Sequence, residues 1–145
     1  MIRKLLTVSA LVIAFAFGIN ADAGQISEGL EEFIAEHHAD GYAPVLVVLN
    51  DQLDSWALVD QLKSRNATLA DRHEIVMTEL INIAERTQPL IINQIESLIE
   101  SGDVREYTPL WVMNIIGMTA NMTAINRIAA MPEVEIVHYD PVMEL

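Results

Sequence analysis

The run Val45-Leu46-Val47-Val48-Leu49, opened by Pro44 and closed by Asn50 and Asp51, constrains this chain more than any other stretch. Five β-branched or aliphatic residues between a proline and two turn formers are too few for a helix and have no polar alternation. They read as a central strand covered on both faces. A second apolar segment, residues 104 to 119, carries Val104, Tyr107, Leu110, Trp111, Val112 and Met113 before Asn114, and Ile115, Ile116, Gly117, Met118 and Thr119 after it. It reads as two adjoining strands with a tight turn or bulge at Asn114.

Between these strands the pattern is helical. Asp54 or Ser55 can cap a helix with Trp56, Val59 and Leu62 on its apolar side, and the helix loosens near Ser64 to Thr68. A second stripe follows in steps of three and four: Leu69, His73, Val76, Met77, Leu80, Ile83, Ala84 and Thr87. Pro89 is expected to kink or restart this helix because it removes an amide from the ladder. Ile91, Ile95, Leu98 and Ile99 then continue the apolar face to Gly102, which can take a left-handed helix-ending conformation. Thr119 or Asn121 can cap a further helix carrying Ala124, Ile125, Ile128 and Ala129, stopped by Pro132, and a last strand spans Val134 to His138.

The order strand, helices, strand, strand, helix, strand predicts an α+β fold with an antiparallel sheet and helices on one face, the ferredoxin-like βαββαβ arrangement. That arrangement puts its first and third strands, residues 45 to 49 and 115 to 119, in the middle.

Arg3 and Lys4, the apolar run Leu5 to Phe17 and the small-x-small triplet Ala21-Asp22-Ala23 mark residues 1 to 23 as a cleaved export signal. About a dozen apolar residues fall short of the roughly 20 that span a membrane. The chain is therefore expected to be exported, to a periplasmic or extracellular space, without a membrane anchor after cleavage. Residues 24 to 42 read as a leader or short helix, 43 to 141 as one domain and 142 to 145 as a tail. Of 8 basic and 21 acidic residues, Arg3, Lys4 and Asp22 lie in the signal, which leaves 6 and 20 and a net charge of −14. Such a balance disfavours nucleic acid or an anionic membrane as partner, since phosphate binding needs Lys and Arg to release counterions. With no cysteine, neither a disulfide nor a thiol nucleophile is available.

The motifs of catalysis do not assemble. None of Ser27, Ser55, Ser64, Ser97 and Ser101 stands in a Gly-x-Ser-x-Gly elbow. His73 and Glu74 begin a zinc-protease helix motif, but Met77 stands where the second histidine belongs. His37 and His38 diverge by about 100 degrees on a helix and suit a solvated pair better than a shared metal. No Gly-rich phosphate loop is present. Glu79, Glu85, Glu96 and Glu100 fall off the apolar stripe and read as a solvated face. Trp56, Trp111 and the methionines Met113, Met118, Met122 and Met131 read as core filling. Asn66-Ala67-Thr68 and Asn121-Met122-Thr123 fit the N-glycan acceptor pattern, which matters only in a glycosylating secretory pathway. No metal or cofactor is implied, and the chain is not expected to be an enzyme.

Leu110 to Thr119, then Ile125-Asn126-Arg127-Ile128-Ala129, then Met131-Pro132-Glu133-Val134-Glu135-Ile136-Val137, resembles the second half of the subtilisin propeptide inhibitor family. The strand Pro44 to Asn50 and the helix carrying Arg72, Val76, Leu80, Ala84, Thr87 and Gln88 are similar to the longer prodomains of secreted subtilisin-type proteases. The likeness spans residues 43 to 141 and departs from the smallest members in the long helical segment from Asp54 to Gly102. It implies a ferredoxin-like domain that inhibits, and helps to fold, a subtilisin-type serine protease. By that resemblance the sheet docks on protease helices, and the tail Val142-Met143-Glu144-Leu145 enters the active-site cleft like a product. Glu133, Glu135 and Asp140 would face the positive ends of protease helices. The competing expectation is an exported, non-enzymatic binding module that uses the helical face of residues 54 to 102. Oligomeric state is not readable from the chain.

Overall fold

The computed structural model describes residues 24 to 140, so the signal expected at 1 to 23 and the tail Val142 to Leu145 lie outside the described residues. The described chain runs β1 (Gln25–Ile26), α1 (Leu30–His37), β2 (Tyr42–Leu49), α2 (Ser55–Ser64), α3 (Leu69–Glu100), β3 (Val104–Leu110), a 3-10 turn (Trp111–Met113), β4 (Ile115–Asn121), α4 (Met122–Ala129) and β5 (Val134–Tyr139). The fold is α+β, with four helices and one five-stranded sheet in the order β1-β5-β2-β4-β3. β2 and β4 are flanked on both sides, as their apolarity led one to expect. The all-antiparallel expectation is corrected: β1 pairs parallel with β5, giving a mixed sheet. This strand comes from residues read as a leader. It can lie so close because Gly24 has no side chain; a Cβ there would stand 2.5 Å from the Val134 carbonyl oxygen.

The helix boundaries follow their caps. Asp54 accepts from the Ala57 amide at 2.9 Å, Thr68 and Asp71 form a reciprocal capping box, and Asn121 accepts from the Ala124 amide at 3.0 Å. Gly102, at φ +82, turns the chain out of α3 while its amide and that of Asp103 reach back to the Ile99 and Leu98 carbonyls. The 32-residue α3 is not interrupted at Pro89. Gln88, Ile91, Ile95 and Leu98 are all buried around the proline, and this packing holds the helix in place despite the missing amide.

One core lies between the helices and one face of the sheet. Ala43, Val45, Val47 and Leu49 of β2 and Ile116, Met118 and Ala120 of β4 meet Leu30 and Ile34 of α1, Ile91, Ile95 and Leu98 of α3, and the Ala124, Ile125, Ile128 and Ala129 face of α4. Burial on β2 alternates strictly, so Tyr42, Pro44, Leu46 and Val48 are only half-buried on the opposite face. The expectation that this strand is covered on both faces is therefore corrected: the packed helices of the core all lie on one side.

Several residues read as core are not. Trp56 is 85% exposed and Val59 38%, because α2 packs through Leu62 and the half-buried Leu58, one turn apart, rather than through positions at steps of three. Leu69, Ile99 and Met113 are exposed as well, while Met118 is buried and Met122, Met131 and Trp111 are half-buried. The strand expected through Met113 ends at Leu110 and gives way to the 3-10 turn.

Asn114 closes that turn at φ 44 and is 2% exposed. Its Nδ2 donates to the Asp51 carbonyl at 2.7 Å and to Thr87 Oγ1 at 3.0 Å, and its Oδ1 accepts from Gln88 Nε2 at 3.2 Å. Arg86 and Asp51 pair at 2.6 Å on the exposed side of the same junction. Replacing Asn114 with Ala should cost about 3 kcal/mol in urea unfolding, from a strained left-handed backbone and buried partners left without bonds. The Asn114→Gly variant should recover about 1 kcal/mol of that loss, since glycine removes the backbone strain and nothing else.

Candidate protein-docking face

The strand registers define what the uncovered face presents. Val48 pairs with Ile115 and Ile136, and Ile115 with Leu110, so Ile136, Val48, Ile115 and Leu110 make one row across four strands. His138, Leu46, Gly117 and Thr108 make the next, and Pro44, Thr119 and Glu106 a third. Partners in a ladder share a face, so these rows stand together on the side away from the helices. The first row is wholly apolar. The third is polar, with the Thr119 hydroxyl 3.3 Å from Glu106 Oε1.

Two shallow depressions mark this face. Leu46, Gly117, Thr108, Leu110, Pro44 and Asp140 line the first, where Gly117 supplies no side chain and leaves a dimple between Leu46 and Thr108. Leu46, Val48, Leu53, Leu80, Val112 and Met113 line the second, where the loop before α2 and the outer half of α3 form a wall. Leu110, Val112 and Met113 are 41%, 54% and 62% exposed and extend the apolar row past the sheet. Ile115 itself is buried at 6% and Val48 and Ile136 are half-buried, so the most exposed apolar surface is the Leu110, Val112 and Met113 end of the row, a cluster of the kind that can mark a protein-interaction surface.

At the other end, Arg105 stacks over the Tyr42 ring at 3.9 Å and pairs with Asp40 at 2.7 Å. The Arg105 hydrogen bond, helped by the Tyr42 amide, holds the Asp40 carboxyl below its ordinary range. Asp103, which receives bonds from Asn121 Nδ2 at 2.9 Å and Ser101 Oγ at 2.7 Å, is lowered for the same kind of reason. The second glycan pattern thus has its asparagine committed as helix cap and as donor to Asp103, whereas Asn66 lies in the exposed turn between α2 and α3.

The other residues singled out in the sequence are scattered. Glu133 precedes β5 beside Asn50, whose amide donates to the Glu133 carbonyl, and its Oε2 is buried with no partner among the described residues. Glu135 is exposed at the β5 bulge, and Asp140 follows the strand with its amide bonded to the Pro44 carbonyl. A six-residue strand separates Glu133 from Asp140 by about 20 Å, so the three acids do not form one cluster. His37 stacks on Phe33 at 4.2 Å between centroids, His38 lies edge-on to Tyr139 at 5.9 Å, and His73 is exposed on α3. No group of three His, Asp or Glu side chains suited to a metal ion occurs among the described residues, and none of the helices described is long and apolar enough to cross a membrane.

The sequence reading missed the face itself. Its signal was present in the unbroken apolarity of 45 to 49, but which alternate residues stayed uncovered depended on where the helices packed.

No protein-family model, curated protein or solved structure matches the chain.

Carbon-detected titration of the Asp side chains should place Asp40 and Asp103 below the ordinary Asp midpoint of about 3.9. Because both are lowered by folding, their stabilisation is present above that midpoint and lost as pH falls through their folded values. Arg105→Ala should return Asp40 toward the ordinary midpoint and leave Asp103 unchanged.

Proposed function

We propose that this chain is an exported, non-enzymatic inhibitor or folding assistant of a subtilisin-type serine protease, built on a ferredoxin-like βαββαβ core to which β1 is an addition. Without β1, each neighbouring pair of the four long strands is antiparallel, and the first and third of them lie in the middle. This supports the ferredoxin-like reading. The observation that carries the functional reading is the open apolar face of β2, β4 and β3, a surface that suits packing against a partner's helices. Its contact with the solvent costs about 25 cal/mol per Å² that a partner would regain.

The face also explains why a tail is useful. Four strands by five residues make roughly 300 Å² of flat surface, well below the ~800 Å² per partner of a standard interface. Additional contact must come from elsewhere. The described chain leaves the sheet at Asp140, which lines the depression above Gly117, so a segment continuing from there starts at the docking face. Val142, Met143, Glu144 and Leu145 would then add main-chain bonds along a protease cleft, with Leu145 in the primary pocket and Val142 in the fourth. Anchoring by the folded domain raises the local concentration of that short segment. Asp140, on the open side, would face a protease helix end.

A second reading rests on the helical segment. Trp56 and Leu69, each 85% exposed, are large apolar side chains on α2 and at the start of α3. They favour the binding module that uses residues 54 to 102.

The two separate in one experiment, the titration of a subtilisin with the chain lacking residues 1 to 23. Stoichiometric loss of protease activity is expected, abolished by deleting residues 142 to 145. Val112→Glu should weaken inhibition at least about tenfold by burying a charge at the interface, while an exposed site changes stability by only about 0.5 kcal/mol. No inhibition of any subtilisin-type enzyme tested would end the proposal. Binding of another protein that survives both changes and is lost in Trp56→Ala would establish the second reading.

A further inference from the structure

Beside the open face, on the helix side of β3, lies a groove of about 440 Å³ between the outer edge of the sheet and α3. Its walls are Ile81, Glu85, Pro89 and Ile92 of α3, with Pro109 and Trp111 from the end of β3 and the following turn. Among the described residues β3 is the last strand of the sheet, so its outer main-chain groups have no described strand beside them. Pro109 has no N–H to give β4, which places it, and Tyr107 two residues before it, among the residues whose main chain points outward. Pro89 contributes in a second way: without its amide, the Glu85 carbonyl loses its usual helical donor at the groove wall.

We infer that this groove binds an extended segment of a partner protein, which adds as a strand to β3 and places one apolar side chain between Pro89, Ile92, Pro109 and Trp111. An extended occupant is favoured over a helix because the strand edge offers main-chain groups that a helix, already bonded internally, cannot satisfy. A second copy of this chain is disfavoured by its formal charge of −13, which would repel its like.

Charge sets the flanking residues. Glu85 and Glu96 are both exposed on α3, one at the groove and the other accepting the Tyr107 hydroxyl at 3.0 Å. Eleven residues of helix separate them by about 16 Å. In an extended peptide, alternate side chains share a face and positions four apart lie about 13 Å from each other, within reach of both acids for a long cationic side chain. The segment that fits is therefore Lys or Arg, any residue, an apolar residue, any residue, then Lys or Arg. The central side chain enters the groove, and the two cations meet Glu85 and Glu96.

The test uses an acetylated and amidated heptapeptide, Thr-Lys-Thr-Leu-Thr-Lys-Thr, titrated into the isotope-labelled chain with amide shifts as readout. Saturable shifts are expected at Tyr107 to Trp111 and along residues 81 to 92 of α3, with the Tyr107 amide among the largest because it gains a strand bond. Glu85→Lys, an exposed change that leaves the fold intact, should weaken binding about threefold or more. Trp111→Ala should remove the saturable shifts, and the Glu85 variant keeps the test valid if that variant fails to fold. The Thr-Glu-Thr-Leu-Thr-Glu-Thr peptide should not bind. Absence of shifts at the groove, equal binding of the acidic peptide, or shifts confined to Leu46, Val48 and Gly117 would each overturn the inference.

Discussion

Asn114 is the constraint on which the rest of the structure depends. It is the buried residue at which the turn after β3, the loop after β2 and the middle of α3 meet, and it serves all three through one side chain. Its backbone accepts from the Leu49 amide as well, so the end of β2 is tied to the start of β4 by main chain and side chain together. A short amide with two donors and an acceptor can tolerate the left-handed backbone and fill that role; an aliphatic residue at the same place would satisfy neither. Gln88 extends the network by donating toward the Leu110 and Ile115 carbonyls, both at 3.4 Å. The sheet's two central strands and its longest helix are thus fixed in register by polar contacts at one point, with apolar packing on either side.

That junction also decides which parts of the surface stay open. By holding α3 against the underside of β4 and β3, it commits the Ile91, Ile95 and Leu98 face to the core and leaves the upper face of the sheet without a helix among the described residues. The same placement carries the outer half of α3 past the sheet, where Leu80 borders the open face on one side and Ile81 the edge groove on the other. Both surfaces are apolar strips bounded by acids, which keeps an apolar patch soluble while leaving it available.

Legibility in the sequence followed the range of the interaction involved. Asp54, Thr68, Asn121 and Gly102 act within four residues of themselves, and the elements they bound were readable from the chain. The apolar strands 45 to 49 and 115 to 119 were readable as central from their places as first and third strands of the βαββαβ order, whereas the cover expected on both faces of 45 to 49 did not follow, since its burial alternates. Trp56, Leu69 and Met113 were read as core because large apolar side chains usually are; nothing local reveals that no described element packs over them. The continuation of α3 through Pro89 was equally hidden, since the helical interruption expected from proline is outweighed by burial of side chains whose partners lie far along the chain. The parallel strand at Gln25–Ile26 is two residues long and depends on the bare backbone of Gly24, too little signal for any periodicity to carry.

The sequence by itself determined most of the longer secondary elements, the caps at Asp54 and Asn121, the acidic charge and the identity of the two central strands, because propensity, capping and hydrophobic period are properties of neighbours; β1, the 3-10 turn Trp111–Met113 and the unbroken course of α3 through Pro89 were not among them. Only the tertiary structure decided which face of those strands the helices cover, and therefore that Leu46, Val48 and Gly117 form a surface while Val45 and Val47 form a core. Both sets are apolar and alternate in one run, so the choice rests on where distant helices pack, a long-range outcome that composition and spacing do not encode.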